Sequence, residues 1–267
     1  MGERIHTRIW LEEPEPDNAF ATRAAYCRGY DVYGEMLGRA RWVEMLFLLF
    51  RGEAPGVAQA DLLEALAVGL MNAGPRDPAV HAAMCAGVGG STAAATLMAA
   101  LAVGAGQHAG AREVFGAVQA FAACGTELAA WQRRFAAPPA DVMGIWPESG
   151  HPPGFDPHGV TTPLPVQQTL AALAALADAI DEARHLRWLA ANREALEVAA
   201  GRPLALSGVA AAAFADLGLT ADQAEMLHLL LRLPGAAAHA LEQRDAGHKQ
   251  FPFFALELED DPLGGRR

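Results

Sequence analysis

The sequence predicts an all-α fold, and three observations carry that reading. Apolar residues make up 52% of the chain and aromatics only 7%, so the core is built mainly from alanine, leucine and valine. Alanine is the best helix former, and β-branched residues are sparse. Apolar side chains also recur at steps of three and four through most of the chain, the period of a helix with one buried face. At 267 residues the chain is long enough for one large domain or two smaller ones with full cores.

Residues 1–28 hold a short apolar piece and the acidic, proline-containing stretch Glu12-Glu-Pro-Glu-Pro-Asp17, which reads as an arm over the surface. Helical signals begin near Asp31. Trp42, Met45, Leu46, Leu49 and Phe50 share one face, and Gly52 stops that helix. A second amphipathic helix covers 58–73 and ends at Gly74-Pro75. Asp77-Pro78 is a start signal, a capping carboxylate followed by proline at the first helical position. The uncharged run from Ala82 to Gln107 is long enough to suggest a membrane span. Its Gly, Ala, Ser and Thr content favours a buried central helix with close packing. A helix follows His108, Gly125 punctuates the chain, and Pro138-Pro139 marks a break. Residues 144–165 are the least helical, a loop dense in proline, glycine and histidine of the kind that often carries function. Residues 167–199 are strongly helical and Gly201-Arg-Pro203 is a turn. Helices resume from about Ser207 to Arg244, one starting at Thr220 or Asp222 and another at Pro234; an extended tail begins at Gly247.

The net charge of −11 argues against a nucleic-acid groove, which needs a basic stripe. Lys249 is the only lysine, so Schiff-base chemistry has a single candidate, in the tail. The cysteines Cys27, Cys85 and Cys124 are odd in number and far apart. They read as reduced thiols of a cytoplasmic protein. The N-terminus has no apolar signal core, so the expectation is a soluble protein with no membrane partner.

Two histidines stand in settings suited to chemistry. His108 lies in Gly104-Ala-Gly-Gln-His-Ala-Gly-Ala111, and His151 in Glu148-Ser-Gly-His-Pro-Pro-Gly-Phe-Asp-Pro-His158. Small neighbours let backbone or ligand approach, and imidazole titrates near neutrality. Taken alone, His108 reads first as a hydrogen-bonded structural histidine, whereas His151, in a loop dense with special backbone residues, suits either role. Arg232 interrupts the apolar run Leu229-Leu-Leu-Arg-Leu-Pro-Gly235. It is either one half of a structural ion pair or a clamp for a substrate carboxylate. His239 reads as packed or hydrogen-bonded within its own helix. No nucleophile elbow, phosphate loop, HExxH or zinc-spaced cysteine cluster is present. Gly87-Val-Gly-Gly90 is too short for a dinucleotide site. His151 and His158 lack an evident third metal ligand, so no metal is expected.

Taken in order, these segments resemble the citrate synthase family. Arg28-Gly-Tyr-Asp-Val-Tyr-Gly-Glu35 with Trp42-Val-Glu-Met-Leu-Phe-Leu-Leu-Phe-Arg-Gly-Glu53 is similar to the family's opening. Gln107-His-Ala-Gly-Ala-Arg-Glu113 is similar to its "HGGA" segment, and Gly150-His-Pro152 to its "GFGHP" loop. Gly201-Arg-Pro203 with Phe214-Ala-Asp-Leu-Gly-Leu219 resembles the stretch around its catalytic aspartate. Arg232-Leu-Pro-Gly235 through Ala238-His-Ala-Leu-Glu242 resembles its "R…G…AH…E" helix. The resemblance runs from about residue 28 to 250. The short length is similar to the citryl-CoA lyase branch and to the matching module of ATP-citrate lyase.

The resemblance implies a large helical domain with a smaller helical domain inserted. Placed on this chain, residues 1–108 and 213–267 form the large domain and 109–212 the small one. It also implies a homodimer, and a reaction joining acetyl-CoA to oxaloacetate or splitting citryl-CoA. Coenzyme A enters as the thioester of a substrate, with no covalently bound cofactor. His108 would donate to the thioester enolate, His151 would act as acid on the ketone, and Arg232 would hold a carboxylate. The chain departs from the pattern where Ala205-Leu-Ser-Gly208 replaces "NVDG", so that Ser207 stands where the family's aspartate base belongs. His158 stands where an arginine usually follows, and Ala73 where a histidine is common. Glu148 and Asp156 are carboxylates near enough in sequence to substitute for the base.

The leading expectation is therefore an acyl-CoA carbon–carbon lyase or synthase of the citryl-CoA lyase type, acting on oxaloacetate or a related 2-oxo acid. The rival is a catalytically impaired homologue that binds CoA esters or serves as a partner or regulatory subunit. A more distant alternative, a helical scaffold without a small-molecule site, requires His108 and His151 to lie apart.

Overall fold

The computed structural model describes residues 5–138, 150–251 and 259. The chain opens with β1 (Trp10–Glu15), β2 (Asn18–Cys27) and β3 (Tyr30–Asp31). These form an antiparallel sheet in the order β1-β2-β3. The expected surface arm is thus a hairpin. The acidic run conceals it, because its carboxylates are answered across the strands. Thr22 Oγ1 donates to Glu12 at 2.7 Å, and Arg23 pairs with Glu13 at 2.7 Å. Arg23 also holds the Glu13 carboxyl below the usual carboxylate range, with the Tyr26 hydroxyl adding to it. Pro14 is tolerated because β1 is an edge strand and its pairing is irregular there.

Beyond the sheet the described chain is helical, so the fold is mostly rather than wholly α: α1 (Trp42–Arg51), α2 (Val57–Met71), α3 (Pro78–Val88), α4 (Ala93–Gly104), α5 (Ala111–Cys124), α6 (Leu128–Ala136), α7 (Leu164–Ala177), α8 (His185–Ala200), α9 (Leu206–Asp216) and α10 (Ala221–Ala246). The punctuation follows the side chains. Gly52 closes α1 at φ 86°, and Asp77 caps α3 by accepting from the amides of Ala79 and Val80. Thr220 caps α10, with Gln223 returning the bond to the Thr220 amide.

Three helical expectations are corrected. The run 82–107 is two helices, because Gly90 at φ 77° turns the chain between α3 and α4. Nor is α4 central: it buries Thr96, Ala100 and Gly104, one every turn, and leaves Met98 and Val103 exposed. The buried central helix is instead α9, whose residues 208–214 are all buried. Pro234 does not start a helix but lies inside α10. Proline forfeits one backbone bond there, and the adjoining Gly235 lets the Met71 carbonyl of α2 approach so closely that a Cβ would stand 2.0 Å from it. The stretch 167–199 is broken between α7 and α8. Asp216 at the end of α9 accepts from the amides of Arg184, His185 and Leu186 at 2.8–2.9 Å, satisfying the open start of α8. The tail opens with a single 3₁₀ turn at His248–Gln250.

The main core gathers Phe47, Leu62, Leu63, Leu66, Leu173, Leu186 and Phe214 around α9. A smaller cluster of Val80, Ala83, Met84, Ala100, Ala236 and Ala240 joins α3, α4 and α10. No helix among the described residues is long and apolar enough to cross a membrane.

Candidate active site

Helix α5 forms the floor of the site. Glu113, Gly116 and Ala117 lie at helical spacing on one face, and the loop after residue 150 rests on that stripe. His151 Nε2 lies 2.8 Å from Glu113 Oε1, with both side chains buried. The Gly154 amide donates to Glu113 Oε2 at 3.1 Å. Gly116 leaves room for the Pro153 ring, which a Cβ would meet at 2.8 Å. One carboxylate therefore holds both the imidazole and the backbone of its loop. Because a buried charge without partners is costly, this double engagement makes the position stable.

The far side of the loop docks on the start of α9. The Ala205 amide donates to the Gly154 carbonyl at 3.0 Å, and the Asp156 amide to the Pro203 carbonyl at 2.8 Å. Phe155 and Leu204 form an antiparallel bridge. Gly154, at φ 90°, and Gly208 pack backbone to backbone; a Cβ on Gly208 would lie 2.4 Å from the Gly154 carbonyl oxygen. The segment carrying His151 and the first turn carrying Ser207 are thus locked together by main chain. Ser207 is half-buried and carries no carboxylate to that turn.

His108 sits in the tight loop between α4 and α5. Gly110 there allows the Gly104 and Gly106 carbonyls to approach a spot that a Cβ would fill, and Ala109 takes φ 56°. His108 is exposed, and its ring centroid lies 6.4 Å from that of His151. The two imidazoles, distant in sequence, lie side by side, one buried and one solvent-facing. The scaffold alternative required them to lie apart, and they do not.

The remaining candidates have other partners. His158 is exposed, and its amide donates to Asp156 Oδ1 at 2.8 Å; the Gly159 amide donates to the same oxygen at 3.0 Å. Asp156 is therefore occupied in its own turn. Glu148 lies outside the described residues. Asp216, in the segment similar to the family's aspartate region, has both oxygens engaged by the start of α8. Arg232 on α10 is paired with Asp77 of the α3 cap, both partners being more than four-fifths buried. Its neighbour His228 is buried with an unpartnered Nδ1. Burial pushes that imidazole down to about 3, and the Arg232 charge adds to the effect. His239 Nδ1 lies 3.2 Å from Glu242 within α10, as expected. Among the described residues, no three His, Cys, Asp or Glu side chains gather as a metal-binding group.

Sequence reasoning passed over Glu113, although it closes the segment that contains His108. The available signal was a lone carboxylate on the apolar face Ala111, Val114, Ala117 and Val118; such a residue is rarely buried without a partner.

No family model matches the sequence, and no curated protein matches it. The fold, however, has solved counterparts. Citryl-CoA lyase from Hydrogenobacter thermophilus superposes with a TM-score of 0.71 at 16% identity over 98% of each chain. ATP citrate lyase from Methanothrix soehngenii, solved with citrate and coenzyme A, gives 0.70 at 15% identity; 98% of this chain matches 43% of that one. A point variant of Methanosaeta concilii ATP citrate lyase in complex with (3S)-citryl-CoA gives 0.65 at 16% identity, covering 97% of this chain and 43% of that one. The molecule has the mostly helical, citrate synthase-like fold. These three neighbours are of the two kinds that the sequence resemblance named.

Proposed function

We propose that the protein is a citrate synthase-fold acyl-CoA carbon–carbon lyase that acts on citryl-CoA, or on the citryl-like thioester of a related 2-oxo acid. The observation that carries this reading is the convergence of His108 and His151, with His151 held by buried Glu113. Cleavage needs a base at the carbinol oxygen and a donor at the thioester oxygen. Two adjacent imidazoles in different solvent environments suit that pair of tasks. Arg232 would hold a substrate carboxylate after exchanging Asp77 for it, and His158 would offer a second, weaker contact at the loop mouth. Coenzyme A is bound as part of the substrate, with no covalent cofactor.

The reading extends to organisation. Residues 109–212 act as the smaller domain against 1–108 and 213–267. The uncharged, exposed side of α4 fits a homodimer contact, and the free thiols Cys27, Cys85 and Cys124 fit the reducing cytoplasm.

A second reading rests on Ser207 and on the Arg232–Asp77 pair: a CoA-ester-binding partner or regulatory subunit, in which the missing carboxylate leaves the site unable to turn over. Thermal-shift titration separates binding from its absence, because a ligand of the native state raises the melting temperature. Coenzyme A or citryl-CoA is expected to raise it; no shift with CoA, acetyl-CoA, oxaloacetate, citrate or citryl-CoA would remove both readings. Ser207→Asp separates the two. On an intact site the restored carboxylate accelerates exchange of the acetyl-CoA methyl protons at least tenfold. No gain in a folded variant favours the partner role.

A further inference from the structure

We propose that Glu113 is the positioning residue that makes His151 a proton acceptor, so that the buried Glu113–His151 dyad carries the carbinol proton in this chain. The inference rests on the lyase reading and assigns a residue that neither composition nor motif pointed to.

The argument starts from hydrogen-bond roles. Glu113 accepts from the Gly154 amide through one oxygen and faces His151 Nε2 at 2.8 Å through the other. A carboxylate can only accept, so Nε2 carries the hydrogen and the basic lone pair of neutral His151 lies on Nδ1. A carboxylate behind an imidazole fixes the tautomer and stabilises the imidazolium once it forms. With both side chains nearly inaccessible, little solvent screens that effect. His108, exposed and with its ring centroid 6.4 Å away, is the more solvated member of the pair.

Other carboxylates around the loop are committed. Asp156 closes its own turn, Asp216 caps α8, and Asp77 is shared between the α3 cap and Arg232. Ser207 supplies none. Among the described residues Glu113 is the carboxylate in contact with a site imidazole.

The step balances without another reagent. His151 Nδ1 takes the carbinol proton, and the O–H electron pair becomes the second bond of the new ketone. The bond from the carbinol carbon to the thioester α-carbon breaks, and its pair passes to the thioester oxygen as an enolate, next to a hydrogen bond from His108. Water then protonates the α-carbon, and the imidazolium returns its proton to the hydroxide formed. The products are acetyl-CoA and the 2-oxo acid.

The test combines kinetics of Glu113→Gln and Glu113→Asp with nitrogen-15 NMR of histidine-labelled, full-length protein. Glutamine keeps the size but presents an amide, so Glu113→Gln is expected to lower the cleavage kcat about 10²–10⁴-fold. KM should change little, and the acid limb of the pH profile should move to lower pH. Glu113→Asp restores the charge and should recover at least tenfold over the glutamine variant. An unchanged kcat and profile in folded Glu113→Gln would overturn the proposal while leaving the lyase reading standing. If wild type cleaves no citryl-CoA, the lyase reading fails, and with it the catalytic role of the dyad. NMR then shows separately whether the dyad itself exists. Wild type must show His151 protonated on Nε2, a measurement that needs no variant; protonation on Nδ1 alone would overturn the dyad outright.

Discussion

Two corners of the molecule have been treated differently. Where α5, the His151 loop and the start of α9 meet, the buried carboxylate and the loop backbone are held by specific hydrogen bonds. Glu113 serves an imidazole and an amide, and Gly154 and Gly208 bring two backbones into contact. Where α3 meets α10, the positive charge expected to receive a substrate carboxylate is already answered by Asp77. Beside it, His228 is buried without a partner for Nδ1. Ala73 packs against the small apolar cluster at this same corner. On the proposed lyase reading, the first corner moves the proton and the second, where Asp77 already answers Arg232, governs which substrate carboxylate is accepted.

The strongest way to break this contrast is Gly208→Ala. Its Cβ would stand 2.4 Å from the Gly154 carbonyl oxygen, and backbone on both sides cannot yield cheaply. Displacement of the loop should reduce cleavage by about 10²-fold or more and cost about 1–3 kcal/mol of stability, read by kinetics and denaturant titration. An equally active, equally stable variant would show that the backbone lock does not position His151.

At the other corner the expected effect is one of stability against pH. The folded-state pKa of His228 is lowered to about 3, below the ordinary value of about 6.5. Between those values the unfolded chain binds a proton that the native state refuses. Stability therefore falls as pH drops from about 6.5 towards 3, with a limiting slope of roughly 1.4 kcal/mol per unit from this group. His228→Leu removes the group along with its unpartnered nitrogen, and its acid branch in denaturant titration should be shallower by that slope. A branch parallel to wild type would contradict the assignment.

The smallest effect sharpens the comparison. Asp77→Asn takes the negative charge from beside Arg232 while keeping an N-cap residue of equal rank on α3. The freed guanidinium should bind citrate more tightly, seen as a larger citrate-induced rise in melting temperature than in wild type. An unchanged or smaller rise would mean that Arg232 takes no part in binding.

Much of this was legible in the sequence because capping and periodicity are local. Gly52, Asp77-Pro78, Gly125 and Gly201 mark helix ends where the structure has them. The sheet was hidden because Glu12, Glu13 and Pro14 read as solvent-loving until Thr22 and Arg23 are seen opposite them. Pro234 misled because its lost hydrogen bond is local, whereas the close Gly235–Met71 approach that fixes α10 there is tertiary. The uncharged run misled for a similar reason: α4 has the composition of a core, yet it buries only one residue per turn. At the site, glycine and proline around each histidine flagged the right residues, but a carboxylate partner far along the chain has no signature in spacing.

The central claim is that His108 and His151 form one acid–base site for citryl-CoA. The most direct measurement is the release of acetyl-CoA from citryl-CoA by purified wild type and by His151→Asn, with the melting temperatures of both recorded. Cleavage by wild type that falls at least 10²-fold in a folded His151→Asn variant is the predicted result. No cleavage by wild type, or equal rates from the two proteins, would contradict it.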